Sequence, residues 1–145
     1  MKALLQRVTH ASVEVHGETV GAIERGLLVL LGLDKGDDLT AGEKLLDKLL
    51  AYRVFPDEQG RMNRSVADIQ GGVLLVSQFT LAADTRKGLR PSFSAALPPA
   101  EAEQLYDQLL QALRQRHGKV AAGRFGADMQ VHLANDGPVT FLLEL

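Results

Sequence analysis

Hydrophobic and polar positions alternate through the first forty residues. Val8, Val13 and Val15 stand among polar neighbours at β spacing, and His16-Gly17-Glu18 has the composition of a turn. Thr19 to Ile23 then leads through Arg25-Gly26 into the unbroken run Leu27-Leu28-Val29-Leu30-Leu31. The pattern predicts three strands, the third covered on both faces. Thr40-Ala41-Gly42-Glu43 has capping-box spacing, and Leu45, Leu46, Leu49 and Leu50 follow at helical spacing, so a helix is predicted over about 41 to 52 with Lys44, Asp47 and Lys48 outward.

Tyr52 to Phe55 reads as a short strand, ended by the turn-forming stretch Pro56-Asp57-Glu58-Gln59-Gly60, and Arg61 to Ser65 as a loop or sheet edge. Gly71-Gly72 introduces Val73-Leu74-Leu75-Val76-Ser77-Gln78-Phe79, a buried strand by its length and β-branched content. From Ala82 to Ser94 neither period holds, and Gly88, Pro91 and a cluster of bases suggest an ordered surface loop. Pro98-Pro99 opens a second helix whose stripe is Ala102, Leu105, Tyr106, Leu109, Leu110 and Leu113, with Gly118 ending it. Met129, Val131 and Leu133, then Val139, Phe141, Leu143 and Leu145, predict two final strands joined by a tight turn at Asn135-Asp136-Gly137-Pro138. With no repeat or linker, the expectation is a single α+β domain over 1–145. Its core would be a largely antiparallel, barrel-like sheet carrying two principal helices.

Composition narrows the function classes. A chain of 145 residues without cysteine has no disulfide, no thiolate metal site and no cysteine nucleophile. Its longest apolar run, Leu27 to Leu33, falls far short of the roughly 20 residues of a membrane span. The opening residues lack a signal-peptide core, so a cytoplasmic location is expected. A formal charge of −2 offers no global field for nucleic acid. The average hides its distribution, however. Gln108 to Ala127 carries Arg114, Arg116, Lys119 and Arg124 with no acid, and Thr85 to Pro91 adds three unopposed bases.

Dinucleotide, P-loop, zincin and nucleophile-elbow motifs are missing. His10, His16, His117 and His132 have no metal-ligand spacing. His117 falls where a cation complements the end of the second helix, and His10 and His132 fall in strands, facing solvent. Two segments escape periodicity. In Ser77-Gln78-Phe79-Thr80-Leu81 a buried strand runs into polar and aromatic residues before a long loop, a common place for reactive groups, although Ser77 and Thr80 could equally satisfy turn amides. In Asn135-Asp136-Gly137-Pro138-Val139-Thr140 the Gly-Pro bond is a candidate cis peptide, a geometry that would aim two successive carbonyls one way as acceptors for an ammonium. An ordinary turn is the alternative.

Together these two segments resemble the D-aminoacyl-tRNA deacylases, as do Arg7-Val8-Thr9-His10-Ala11-Ser12-Val13, Met62-Asn63 and Lys87-Gly88-Leu89-Arg90-Pro91-Ser92-Phe93, in order along the whole chain. The resemblance implies hydrolysis of the ester joining a D-amino acid to the terminal adenosine of tRNA, with no cofactor and no metal. It also implies a homodimer whose active sites lie at the interface, each entered by the Gly137-Pro138 turn of the other copy. The carbonyls of a cis Gly-Pro bond would hold the α-amino group while the turn excludes an L side chain, and glycine on tRNA would pass the same wall. Thr80 is the catalytic candidate, and Ser77, Gln78, Phe79, Met62, Gly137 and Pro138 are the substrate-binding candidates. Arg7 is a candidate support for the Gly-Pro turn, and Arg86, Lys87 and Arg90 are candidate tRNA contacts. Two mechanisms fit the resemblance. Thr80 could be the nucleophile, or the protein could position the ester while the 2′-hydroxyl of the adenosine assists water, which is preferred because the motif holds no base for Thr80. Rival readings are a threonine esterase acting on small esters and a non-enzymatic dimeric module that senses small amines.

Overall fold

A computed structural model describes every residue from Met1 to Leu145. Along the chain come strands β1 (Lys2–Val15), β2 (Glu18–Ile23) and β3 (Gly26–Gly32), helix α1 (Leu39–Ala51), strands β4 (Phe55–Pro56), β5 (Met62–Arg64) and β6 (Gly72–Ser77), helix α2 (Pro99–Arg116), and strands β7 (Val120–Ala122) and β8 (Gln130–Glu144). A single 3-10 turn occupies Phe79–Ala82. Strand β1 is the spine. One of its edges pairs antiparallel with β3 over Lys2 to Val8 and with β2 over Ala11 to Val15, while the other carries β8 along nearly its whole length. Strands β3, β6 and β7 are parallel neighbours, so the antiparallel ladders expected from the alternation adjoin a parallel trio in one mixed sheet. That sheet curls until β2 meets β7. A Cβ on Gly21 would lie 2.3 Å from the Ala122 carbonyl oxygen, so the near-closure of the barrel requires a residue without a side chain there.

The two-sided burial of the Leu27 run has a direct cause. Leu27, Val29 and Leu31 of β3, with Val73 and Leu75 of β6, face a large core shared with Leu45, Leu49, Leu109 and Leu113 of the helices. Leu28, Leu74 and Val76 face the other way, into the barrel, where they meet Val8, Ala11 and Val13. Burying each such side chain contributes about 1.5–3 kcal/mol, so strands covered on both faces stabilise more per residue than any other segment. The helices cross closely. A Cβ on Gly42 of α1 would stand 2.3 Å from Leu109 Cδ2 of α2, which explains a residue of poor helix propensity inside α1.

Four sequence expectations change. Helix α1 begins at Leu39, because the Asp38 carboxylate accepts from the Ala41 amide at 2.8 Å and caps the helix from upstream of the expected capping box. Strand β6 stops at Ser77, and Phe79, expected in the strand, begins the 3-10 turn. His117 ends α2, but its ring turns away to the Gly71 carbonyl at 2.6 Å, and Arg116 serves the late helix carbonyl of Ala112 at 3.1 Å. The two final strands are one strand. Residues Asn135 to Pro138 do not reverse the chain, because β8 keeps pairing with β1 on both sides of them.

The chain start is tied into this frame. The Met1 ammonium lies 2.8 Å from an Asp34 carboxylate oxygen and 3.0 Å from one of Asp37. Burial alone lowers the ammonium pKa, but hydrogen bonds to Asp34 and Asp37 and their charges outweigh it, so the value is raised above the ordinary 8.0. A raised folded-state value means the pair stabilises fully below pH 8.0 and loses its effect as pH climbs through the folded value. The urea unfolding midpoint is therefore expected to fall above pH 8.0, and the slope is expected to flatten in the Asp34→Asn/Asp37→Asn double variant.

Candidate active site

The site is built at the carboxyl end of β6. Strand β6 is buried from Gly72 to Val76 and locked to α2 by Tyr106, whose hydroxyl donates to the Leu75 carbonyl at 2.8 Å. Burial pushes the Tyr106 pKa up to about 12, so the phenol keeps its proton and the hydrogen bond holds across the neutral range. Beyond Ser77, the Gln78 amide still reaches the Leu31 carbonyl of β3 at 2.8 Å. The chain then turns sharply, with Leu81 N bonding Gln78 O and Ala83 N bonding Thr80 O, both at 3.2 Å. Phe79 and Thr80 are thereby lifted out of the sheet into solvent.

The Thr80 hydroxyl has one side-chain partner, the carboxamide of Gln78, whose Nε2 donates to Oγ1. A carboxamide is no base at neutral pH, whichever way its ends are assigned. The histidines are elsewhere. His117 holds Gly71 just ahead of β6, about 20 Å from Ser77 at roughly 3.3 Å per residue. His10 is exposed beside Thr9 on β1, and His132 is exposed on β8, 3.7 Å from Glu14. Geometry thus supplies Thr80 with a hydrogen bond but with nothing to take its proton.

Beside this strand end opens a cleft of about 750 Å³ that Ser77, Gln78 and Phe79 border on one side. Its far walls are mainly apolar, with Phe93, Phe125, Met129 and Leu97 prominent. Phe79 is 62% exposed, and its ring centroid lies 5.1 Å from that of Phe93. Three of the chain's five phenylalanines therefore stand at one opening, an arrangement suited to a flat aromatic ligand. The sequence pattern missed Phe125 and Met129 as site residues because they look like ordinary core residues flanking β8. The signal available was the scarcity of aromatic side chains, which leaves few to spend outside the core.

The surface loop is ordered. Its ends close through paired Asp84 and Ser92 backbone hydrogen bonds of 2.8 and 3.0 Å. Arg86 folds back on Asp84 through Nε at 2.9 Å and Nη2 at 2.7 Å, holding that carboxyl far below the usual carboxylate range, so this base is paired within the loop while its side chain stays exposed. Lys87 and Arg90 project from the tip with the fully exposed Leu89 between them.

A second construction lies farther along β1. Gln6 pairs with Thr140 but Val8 with Asn135, so two steps along β1 match five along β8 and the surplus residues stand out as an exposed loop. The Gly137-Pro138 bond in that loop is cis. Arg7 supports it from beneath, with Nε 3.2 Å from the Asp136 carbonyl and 3.4 Å from its carboxylate, and with Nη1 2.7 Å from the Val54 carbonyl. Asn135 braces the base, its amide donating to the carbonyls of Arg7 at 2.9 Å and Val139 at 3.0 Å, while the Thr140 hydroxyl donates back to its oxygen at 3.2 Å. The motif's polar residues thus clamp a loop whose own tip is bare backbone.

These two constructions are separate within the chain. Lys2 marks the Thr80 turn and Arg7 marks the Gly137-Pro138 loop, and five residues of β1 place them about 17 Å apart. Ser77, Gln78, Phe79 and Thr80 come together, whereas Gly137, Pro138 and Arg7 form their own group and none of them lines the cleft. Met62, 47% exposed on β5, also lies off the cleft, on a hairpin held by Asp57, which accepts from Asn63 Nδ2 at 2.9 Å.

Fold and site define a small α+β barrel protein with an aromatic-lined ligand cleft at a strand end and a rigid backbone loop projecting away from it. Residues 4–144 match the family model for D-Tyr-tRNA(Tyr) deacylase. Relatives named D-aminoacyl-tRNA deacylase include those of Stutzerimonas stutzeri (strain A1501), 70% identical with 99% of each chain covered, and Ectopseudomonas mendocina (strain ymp), 64% identical with 100% of each covered. The solved structure of a c-Myc DNA Unwinding Element Binding Protein matches with a TM-score of 0.96 at 47% identity, covering 100% of this chain and 99% of that one. A probable eukaryotic D-amino acid tRNA deacylase shares the fold, with a TM-score of 0.84 at 17% identity over 99% of this chain and 98% of that one. The chain belongs to the D-Tyr-tRNA(Tyr) deacylase family.

Proposed function

We propose that this protein is a D-aminoacyl-tRNA deacylase, which hydrolyses the ester between a D-amino acid and the 3′-terminal adenosine of tRNA and releases free tRNA and the free D-amino acid. Full-length kinship to proteins of that name supports the activity. The observation that carries the site reading is the separation of the braced Gly137-Pro138 loop from the chain's own cleft. A second copy brings the two together. In the homodimer the loop of one copy closes the cleft of the other, its carbonyls receive the substrate's α-ammonium, and its backbone occupies the space an L side chain would need. Met62 meets a ligand by the same route, from a second copy.

The adenosine enters the aromatic-lined cleft, and Lys87 and Arg90 at the loop tip meet phosphates of the acceptor end. Ser77, Gln78, Phe79 and Thr80 orient the ester and donate hydrogen bonds as negative charge develops on the carbonyl oxygen. Water adds to the carbonyl carbon with help from the substrate's 2′-hydroxyl, and the 3′-oxygen leaves with a proton. The lack of any base at Thr80 favours this substrate-assisted route over a threonine nucleophile.

The protein is expected to strip D-tyrosyl-tRNA and glycyl-tRNA while acting on L-tyrosyl-tRNA about a hundredfold more slowly or worse, read from loss of labelled amino acid from tRNA. Turnover of free D-amino acid esters without tRNA would favour the small-ester reading, and ligand-dependent stabilisation without turnover the sensor reading. Sedimentation at micromolar concentration is expected to give the mass of two chains. Replacing the terminal adenosine by its 2′-deoxy form is expected to cost about 10²-fold or more in kcat, against less than about tenfold for Thr80→Ala. Loss with Thr80→Ala and tolerance of the 2′-deoxy substrate reverses the mechanism.

A further inference from the structure

Lys2 of β1 and Gly32 of β3 are direct cross-strand partners, and both bear on the turn that carries Phe79 and Thr80. The Lys2 ammonium donates to the Leu81 carbonyl at 3.2 Å. Across β1 from Lys2 stands Glu144 of β8, an available carboxylate, yet the hydrogen bond goes to the turn. Gly32 acts by leaving space. A Cβ there would lie 2.7 Å from the Leu81 Cβ, 3.2 Å from the Gln78 carbonyl oxygen and 3.5 Å from the Ala82 nitrogen. Two of these neighbours are backbone atoms of the turn, so a side chain at position 32 has to lift the turn itself. Gly32 has no left-handed backbone geometry to explain it, which leaves close approach as the reason for glycine.

The turn needs outside support. It is a single 3-10 turn whose bounding hydrogen bonds, from the Leu81 and Ala83 amides, are both long at 3.2 Å, with Phe79 and Thr80 both exposed. A lone turn of this kind is marginal in water, because nucleating it fixes several dihedrals for little return. One strand-paired couple supplies what it lacks, a cation on its late carbonyl and a floor at van der Waals distance beneath it.

We infer that Lys2 and Gly32 are positioning residues for deacylation, forming a seat that sets the height and angle of the Phe79-Thr80 turn at the cleft. The inference rests on the deacylase reading above. Neither residue touches the substrate. Each acts through Leu81 and Gln78 on groups that do, and reaction rates respond steeply to displacements near 1 Å.

The test measures kcat and KM on D-tyrosyl-tRNA for the full-length protein and for Lys2→Met, Lys2→Arg and Gly32→Ala, alongside urea unfolding of each. Lys2→Met keeps the aliphatic stem and removes the donor. It is expected to lower kcat about tenfold with KM within about twofold and the unfolding midpoint unchanged, and Lys2→Arg is expected to restore most of kcat. Gly32→Ala is expected to lower kcat at least as far, and adding Lys2→Met to it is expected to cost less than the product of the single effects, because both disturb one turn. A kcat within about twofold of the parent for Lys2→Met overturns the inference, as does a Lys2→Arg as slow as Lys2→Met, or a loss that tracks the folded fraction. If Gly32→Ala fails to fold, the Lys2 pair decides alone. A parent protein with no deacylation refutes the functional reading, whereas an active parent with unaffected variants refutes only the seat.

Discussion

The constraint on which the rest of the molecule depends is that β1 must satisfy backbone hydrogen bonds along both edges over fourteen residues. One edge is divided between β3 and β2, which bends the sheet toward closure. The other is given to β8, which matches it except at the register slips on either side of Val8. A ladder that must resume after a slip forces the surplus residues outward, so the Gly137-Pro138 loop projects because β8 is paired on both sides of it. Arg7 and Asn135 then remove the freedom such a loop would otherwise have, using hydrogen bonds to main-chain atoms. The same strand, five residues earlier, supports the Thr80 turn through Lys2. The Thr80 turn and the Gly137-Pro138 loop are therefore both referenced to one rigid element, which holds them apart within the chain.

The chemistry follows from what that scaffold leaves out. A hydroxyl whose partner is a carboxamide, with every histidine remote, has little intrinsic reactivity. In the proposed mechanism rate enhancement comes from orientation and preorganised donors, with the reactive hydroxyl supplied by the substrate. Such a site tolerates no looseness, which is consistent with a strand buried on both faces, a buried tyrosine tying it to α2, and a turn seated on glycine. The proposed selection of configuration by backbone has the same logic. A clash made by main chain cannot relax by rotamer change, so it discriminates by exclusion where a flexible side chain would yield.

The readable parts of the sequence were those where burial alone sets the pattern. Leu27 to Leu31 and Val73 to Val76 announced themselves as strands covered on both faces, and the stripe from Ala102 to Leu113 gave α2 its register, because apolar periodicity reports which side meets the core. Errors came where competing local signals were resolved by contacts distant in sequence. Asp38 and Thr40 are both sound helix caps, and the choice fell to Asp38 in the loop that the chain start draws in through Asp34 and Asp37. Phe79 has strand-forming character, but β3 ends at Gly32 and leaves it no partner. Asn135 to Pro138 has turn composition, yet composition does not say whether a chain reverses or bulges.

By itself the sequence determined the family, the α+β character, the helix and strand faces, and the two segments that periodicity leaves unexplained. These follow from residue types and short spacings, which a linear chain displays directly. Only the tertiary structure decided that the motifs stand at opposite ends of a β1 segment, that an aromatic cleft gathers around the first of them, and that β8 runs straight through the second. Pairing register and curvature depend on contacts far apart along the chain, and a one-residue change in register alters which face every later side chain presents, so no local pattern can settle them.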